Sequence, residues 1–171
     1  MVNLGGCKTL EKMKIWFYPD QDFSEIGQLN RLEELTMIQC KTLTLDGITD
    51  MPALKQIELK YSRTLQNIDA LANCPNLDLV WIEKCSQLIN INLKSASISR
   101  LLLDRVANLN FLPQLPNLKR LLIADLKDGN MQPILDCADQ LESVGLYPTK
   151  RPHYQYSERE LHALLDAKKA R

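Results

Sequence analysis

The amino-acid sequence predicts an α/β solenoid in which short repeats stack side by side and build a concave, horseshoe-shaped parallel β-sheet. A frame of the form Leu-x-x-Leu-x-Leu-x-x-Cys, with a further apolar residue three places on, recurs along the chain. Its copies start about 20 to 23 residues apart, a period typical of stacked repeats that contribute one strand each. Seven copies occur, beginning at Leu10, Leu32, Leu54, Leu77, Ile98, Leu118 and Leu141.

Each repeat is expected to form one short strand. The fourth and sixth frame positions are apolar in every copy, for example Leu35 and Met37, or Val80 and Ile82. This two-residue alternation is typical of a strand that buries one face. A single coil of this kind cannot bury its own leucines, because they need a neighbouring coil on either side. We therefore expect about seven short strands in one parallel sheet, with one continuous core.

The segments that return from one strand to the next are expected to be turns and 3₁₀ segments on the convex side. Pro52, Pro75 and Pro116 lie in these segments, and proline cannot donate a hydrogen bond to a sheet. The short period also leaves little room for a helix in each repeat. The best candidate for a longer convex element is the stretch 130–138.

The repeats are expected to occupy residues 1–148, followed by a C-terminal cap over residues 149–171. Ser157-x-x-Glu160 has the form of a capping box, which predicts a helix over about 157–169. Leu161, Leu164 and Leu165 supply an apolar stripe at helical spacing. This capping helix is expected to cover the open end of the seventh repeat.

The first repeat begins within a return segment and has no amphipathic cap before it. Solenoid ends normally carry a polar cap that keeps the terminal repeat in solution. Two interpretations remain. Either an additional N-terminal segment or domain of the same protein precedes this chain, or another subunit covers Leu10 and Met13.

The composition argues against binding to nucleic acid or insertion in a membrane. The chain has 171 residues, and its 21 acidic and 21 basic residues give a formal net charge of zero. A protein that neutralises phosphates generally carries an excess of basic residues. In addition, no run of 18 apolar residues could span a bilayer, and no signal peptide precedes the repeats.

The five cysteines are expected to be reduced and mostly buried. Cys40 and Cys85 hold the ninth frame position, and Cys7 and Cys74 hold an apolar position of the return segments. Equivalent positions two repeats apart are separated by about 10 Å along the stack, which is too far for a disulfide. Cys137 lies outside the frame and is expected to be the most reachable. Reduced thiols favour a cytoplasmic location.

The sequence holds little material for catalysis or for a cofactor or metal site. Its only histidines, His153 and His162, both lie beyond the last predicted strand. No Cys-x-x-Cys, His-Glu-x-x-His or phosphate-binding glycine pattern occurs. We therefore expect a protein that is not an enzyme and uses no cofactor.

The concave face of the sheet is the predicted binding surface. If the first, fourth and sixth frame positions point into the core, the third, fifth and seventh positions line this face. Both tryptophans of the chain fall there, and Trp81, Leu102 and Leu122 occupy the fifth position of consecutive repeats with Leu79 beside them. A contiguous apolar patch on an exposed sheet requires a partner or a cover.

Charged and aromatic residues surround this patch, and an aromatic and aliphatic centre with arginine at its rim is typical of protein-binding hot spots. We therefore predict a partner protein on the concave face. The alternative is that the tail after Tyr147, or a segment absent from this chain, covers the patch. The predicted partner-binding residues are Trp16, Ile38, Glu58, Tyr61, Leu79, Trp81, Arg100, Leu102, Asp104, Arg120 and Leu122.

Over residues 4–147 the frame resembles the leucine-rich repeat superfamily, in a form with short repeats and with cysteine often at the asparagine position. The stretch 112–123, LPQLPNLKRLLI, is similar to the short repeats of bacterial secreted effectors, which points to a bacterial source. The resemblance implies a rigid, non-enzymatic scaffold for protein–protein interaction. One interpretation is an inhibitor or immunity protein. The other is the sensor or substrate-recruiting portion of a larger signalling, effector or ligase protein.

Overall fold

The predicted repeats form one parallel β-sheet whose strands are adjacent in chain order. The computed structural model describes residues 4, 6–20, 22–48 and 51–170. Over these residues every strand starts at the third position of a repeat, which confirms the predicted α/β solenoid fold. The strands are β1 Lys12–Trp16, β2 Glu34–Ile38, β3 Gln56–Lys60, β4 Leu79–Glu83, β5 Arg100–Val106, β6 Arg120–Leu126 and β7 Ser143–Leu146.

The core lies behind the sheet and runs through all the repeats. Strand pairing joins identical frame positions, so that Leu35, Ile57, Val80 and Leu101 lie in one row and are fully buried. The corresponding Met13 of β1 is only half-buried, because β1 has a neighbouring strand on one side alone. Burial in the interior repeats therefore depends on stacking, as the repeat frame predicts.

The convex side consists mainly of turns and short 3₁₀ segments, as predicted. The 3₁₀ segments are Ile26–Gln28, Asp69–Asn73 and Leu112–Gln114. The longer element expected at 130–138 is a short α-helix, α1, over Gln132–Asp136. Pro113 and Pro133 are the second residues of two of these segments, within the first turn, where the missing amide proton costs no helical hydrogen bond.

In the first four repeats the chain leaves the sheet through a left-handed residue at the eighth frame position. The φ angles there lie between 52° and 58°, although none of the residues is glycine. In repeats one to three, the amide of this residue donates to the carbonyl of the seventh position in the next repeat, as Gln39 does to Lys60 at 2.9 Å. The residues are Phe17, Gln39, Tyr61 and Lys84.

Cysteine and serine recur at the ninth frame position because their side chains donate a hydrogen bond to a backbone carbonyl two residues earlier. The Cys40 Sγ donates to the carbonyl of Ile38 at 3.6 Å, and the Ser62 Oγ does the same to Lys60 at 3.5 Å. Cys85 repeats this contact with Glu83 at 3.6 Å. Each of these carbonyls already accepts a backbone amide from the preceding repeat, so the small side chain adds a second hydrogen bond and satisfies its own donor inside the core.

This turn changes at the fifth repeat. In the fifth and sixth repeats the ninth position holds Val106 and Leu126, and strands β5 and β6 continue to these residues without a left-handed residue. The amide of Lys84, in the last of the left-handed turns, therefore does not bind the backbone carbonyl of the seventh position in the next repeat, which is Asp104. It donates instead to Asp104 Oδ2 at 3.0 Å. Asp104 thereby joins the two kinds of repeat.

The C-terminal helix α2 spans Glu158–Lys169 and begins with the predicted capping box. The backbone amide of Glu160 donates to the Ser157 hydroxyl at 3.4 Å, and the amide of Ser157 donates to Glu160 Oε2 at 2.8 Å. Leu161 and Leu165 are buried, but Leu164 is exposed, so the predicted three-leucine stripe is wrong at that residue. Leu161 and Leu165 are four residues apart and share one face of the helix, and they supply its buried apolar contact with the repeats.

Polar side chains of α2 also cover the free edge of β7. Glu158 Oε1 accepts the amide of Leu146 at 2.9 Å, and the Nε2 of His162 lies 2.7 Å from the carbonyl oxygen of Val144. The ammonium of Lys169 donates to the carbonyl of Leu141. An edge strand left unpaired could pair with a strand of another chain, and these contacts occupy its backbone groups.

The cysteines are free in the structure, and four of them are buried. The expectation that Cys137 is the most reachable thiol is wrong, because Cys137 is buried and Cys7 is exposed. Cys137 caps the end of α1, which packs against α2. Burial accordingly raises the pKa of the Cys137 thiol, and it raises the pKa of Cys85 to about 11.

Candidate binding face

The structure brings the predicted apolar column together on the concave face. Strand pairing places Trp81 of β4 beside Leu102 of β5, Leu102 beside Leu122 of β6, and Leu122 beside Gly145 of β7. Leu122 is 43% exposed, while Trp81 and Leu102 are half-buried. We call Trp81, Leu102 and Leu122 the apolar ridge.

One hollow lies on the side of the ridge where the strands begin. It has a volume of about 410 Å³. Arg100 and Arg120 line it, so we call it the arginine hollow. Gly145 helps to create it, because a Cβ atom there would lie only 2.8 Å from the Cδ1 of Leu122. Leu122 therefore leans over a position that has no side chain.

A second hollow lies on the opposite side of the ridge, where the strands end. It has a volume of about 320 Å³, and Trp81 and Tyr147 line it together with the carboxylates of Glu83 and Asp104. We call it the acidic hollow. The pairing of β4 with β5 stops at Ile82, one residue before Glu83, which leaves space between the two strands at this point.

Trp81 is held in place by a partly buried cation. The Nζ of Lys60 lies 3.8 Å from the centroid of the indole ring, and 2.8 Å from Glu58 Oε2. Glu58 also accepts a hydrogen bond from the Nε2 of Gln56 at 2.8 Å. Glu58 was predicted to contact a partner, and in the structure it pairs with the lysine that covers Trp81.

The two arginines of the arginine hollow differ in how their charge is compensated. Arg100 donates from Nε and Nη2 to Asp78 Oδ2 at 3.0 and 2.6 Å, and the hydroxyl of Ser99 also donates to Asp78. Burial alone would raise the pKa of Asp78, but the hydrogen bonds from Ser99 and Arg100 outweigh it and lower that pKa. Arg120 is exposed and has no ion pair with any acidic residue in the described part of the chain.

Two predicted contact residues are not exposed. Ile38 is 7% exposed and Leu79 is 8% exposed, so the expectation that both line the open surface is wrong. Ile38 lies between Trp16 and Lys60 across the sheet, and Leu79 lies between Gln56 and Arg100. Long side chains on both neighbouring strands can cover a residue that the alternation of a single strand places outside.

Trp16 and Tyr61 are exposed but stand apart from the apolar ridge. Trp16 belongs to β1, three strands away from Trp81 in the sheet. Tyr61 lies in the turn after β3, where the Nζ of Lys84 is 4.9 Å from the centroid of its ring. Both residues therefore belong to the outer part of the concave face.

Two exposed aromatic residues are missing from the predicted set. Tyr147 is 73% exposed and lines the acidic hollow, and Phe17 is exposed next to Trp16. Tyr147 holds the seventh frame position, so the frame itself could have identified it. Phe17 occupies the left-handed eighth position, for which the alternation of a strand makes no prediction.

The tail lies beside the concave face rather than over the ridge. The hydroxyl of Tyr154 accepts the amide of Leu126 at 3.1 Å, and Arg151 lies 3.5 Å from Asp125 at the end of β6. No described residue beyond Tyr147 lines either hollow. The described part of the tail therefore leaves the apolar ridge open.

The described residues form neither a metal site nor a helix that could span a membrane. Within residues 4, 6–20, 22–48 and 51–170, no group of three or more histidine, cysteine, aspartate or glutamate side chains is arranged to hold a metal ion. In that same part of the chain, no helix is long and apolar enough to cross a membrane.

Comparison with known proteins gives one informative similarity. No protein-family model matches the chain, and no solved structure matches it. The chain is similar to disease resistance protein RPS4B of Arabidopsis thaliana, with 25% identity over 122 residues that cover 58% of this chain. The matched region spans only 10% of that protein. Together with the parallel sheet, this similarity fits a leucine-rich-repeat-like superfamily.

Proposed function

We propose that this protein is a non-enzymatic interaction module that binds a partner protein on its concave face. The observation that carries the proposal is the open apolar ridge, with a hollow on each side and charged groups at both rims. Apolar side chains that stay exposed on a packed sheet are a common feature of protein-binding surfaces. Because the ridge belongs to a rigid sheet, little ordering of the module would oppose binding.

Within this proposal the predicted residues have different roles. Trp81, Leu102 and Leu122 form the centre of the contact, and Arg100, Arg120 and Asp104 form its charged rim. Trp16 and Tyr61 extend the contact toward the first repeats. Glu58 acts through Lys60, which holds Trp81 in place, and Ile38 and Leu79 support the surface from below.

Two functional classes remain, and one observation favours the second. An inhibitor or immunity protein would occlude a partner by itself, whereas a recruiting module would be a portion of a larger protein. The similarity to a small part of a plant disease resistance protein supports the sensor or substrate-recruiting portion of a larger signalling protein. That similarity lends no support to the bacterial source expected from the stretch 112–123. Free, buried thiols support a cytoplasmic location.

Capture of partners from a lysate of the source cells, followed by mass spectrometry, tests the concave face. Leu122→Asp places a charge on the ridge, and Leu43→Asp is its matched control, because Leu43 is 40% exposed and lies outside the sheet in the loop after β2. We expect proteins that the parent chain and Leu43→Asp both capture and that Leu122→Asp loses. If Leu122→Asp captures the same proteins as the parent, the concave face is not the binding surface.

A gentler variant tests the arginine hollow. Gly145→Val would push the Cδ1 of Leu122 aside and partly fill the hollow, while valine suits a strand. Loss of the same partners as Leu122→Asp would support docking at this point. Addition of the captured partner to its own activity assay separates the two classes, since only an inhibitor reduces that activity on binding.

A further inference from the structure

We infer that the partner is held through an extended segment in which an acidic and a basic residue lie about four or five positions apart, with an apolar residue between them. The inference rests on the proposed function of the concave face and adds the chemistry and orientation of the occupant. Its basis is the separation of charge across the apolar ridge.

The two hollows have opposite charge and share the ridge as a common wall. Arg100 and Arg120 are the charged residues of the arginine hollow, and no acidic residue lines it. Glu83 and Asp104 are the charged residues of the acidic hollow, and no basic residue lines it. A partner that buries the ridge must therefore place its own charges on opposite sides of one apolar contact.

Among the described residues, the two charged residues of the hollows that make neither an ion pair nor a hydrogen bond to a neighbouring amide lie on a diagonal. Arg100 is paired with Asp78, and one oxygen of Asp104 binds the amide of Lys84. In the described part of the chain, neither Arg120 nor Glu83 has an ion pair. These two residues therefore offer the strongest attraction for groups of opposite charge on a partner.

The distance between these charges sets the spacing in the partner. Arg120 begins β6, whereas Glu83 ends β4, two strands away and four residues further along the strand direction. At about 3.3 Å per residue and 4.8 Å per strand, the two positions are separated by about 16 Å. An extended segment covers that distance in about five residues. Arg100 and Asp104 lie on the same strand, and an extended segment beside that strand covers the distance between them in about four residues.

The size of the hollows limits what enters them to single side chains. The larger hollow has a volume of about 410 Å³, and an α-helix, about 10–12 Å across with its side chains, would not enter it as a whole. An extended segment reaches both hollows with the fewest residues. Single side chains of an extended segment fit on both sides of the ridge, and a central apolar side chain packs on Leu102 and Leu122.

A phage-displayed library of random twelve-residue peptides tests this inference with the full chain as bait. Binders are counter-selected on Leu122→Asp, so that only peptides that need the ridge remain. We expect these to carry an acidic and a basic residue four or five positions apart with an apolar residue between them. A synthetic peptide of the enriched sequence then serves as the probe for affinity measurements.

Charge reversal on the protein identifies which end of the peptide meets which hollow. Arg120→Glu should weaken binding of the enriched peptide about fivefold to tenfold, since an exposed ion pair is replaced by a repulsion. A peptide with lysine in place of its acidic residue should recover the affinity on Arg120→Glu. Lys94→Glu is the matched control, because Lys94 is exposed and lies outside the sheet.

The outcomes separate the inference from the proposed function. Ridge-dependent peptides without the charge pair would overturn the inference and leave the concave-face function standing. Absence of any ridge-dependent peptide would also overturn the inference, whereas the concave-face function falls only if Leu122→Asp captures the same proteins as the parent chain. A dimer of the chain that Leu122→Asp dissociates would also overturn the inference, because the occupant would then be a second copy.

Discussion

The partly buried cation above Trp81 leads to the most informative prediction, which concerns the Lys60 and Glu58 pair. Lys60→Leu removes the ammonium 3.8 Å from the indole centroid, a contact that contributes about 1 to 2 kcal/mol when it is shielded from water. It also leaves the largely buried carboxylate of Glu58 with only the amide of Gln56, which costs about 1 to 3 kcal/mol. The added leucine buries some apolar surface and offsets part of this loss, so the free energy of unfolding should fall by about 2 kcal/mol.

The double variant Glu58→Gln/Lys60→Leu should be less destabilised than Lys60→Leu alone. With glutamine at position 58 no unpaired charge remains, and only the contact with Trp81 is lost, so the cost should fall to about 1 kcal/mol. Urea unfolding followed by circular dichroism measures both values without relying on the fluorescence of Trp81 itself.

A matched control is the exposed pair Lys55 and Glu33, which lie at the same distance of 2.8 Å. Their substitution to leucine and glutamine should change the free energy of unfolding by less than about 0.5 kcal/mol. If the double variant at positions 58 and 60 is less stable than Lys60→Leu, the reasoning about the unpaired carboxylate is wrong.

Three further predictions concern thiols, acid stability and the C-terminal cap. At pH 8 a thiol reagent should modify Cys7 quickly and the other four cysteines only after unfolding, and quick modification of a second thiol in the native chain would contradict the burial. Because the pKa of the Cys85 thiol is raised to about 11, the stability that depends on its protonated form should be lost as the pH rises from about 9 toward 11. Because the pKa of Asp78 is lowered from its ordinary 3.8, the stabilising contribution of its carboxylate is present above that pH and lost below it. The difference in the free energy of unfolding between the parent and Asp78→Asn should therefore shrink as the pH falls below about 4. An unchanged difference in acid-unfolding curves would argue against the ion pair with Arg100. Ser157→Ala should reduce the free energy of unfolding by about 1 kcal/mol in urea titrations, whereas Ser157→Asp, which can still cap α2, should not.

The fold was predictable because the information that specifies it is local and repeated. Leu35 and Met37 alternate within one strand, and the same alternation returns in every repeat, so neither the strands nor their parallel order required a view of the whole molecule. The capping box at Ser157 and Glu160 was predictable for the same reason, since its two partners are three residues apart.

The candidate site was predictable only in part. The column of Trp81, Leu102 and Leu122 followed from the frame, because identical frame positions pair across a parallel sheet. The burial of Ile38 did not follow from the frame, which places its side chain on the open face. Its neighbours Trp16 and Lys60 belong to other strands, and they decide whether the side chain is covered. The accessibility of the Cys137 thiol was predicted wrongly for the same reason, since Cys137 caps α1 and α1 packs against α2, which is distant in the sequence.

The sequence by itself therefore determined the number of repeats, the strand in each and the face on which an apolar column stands. Only the tertiary structure decided that Leu122 leans over Gly145, that Lys60 covers Trp81, and that hollows of opposite charge lie on either side of the ridge. The physical reason is one of range. The alternation that buries a strand acts between residues two apart, whereas the shape and charge of the face arise from side chains that meet only when the repeats are stacked.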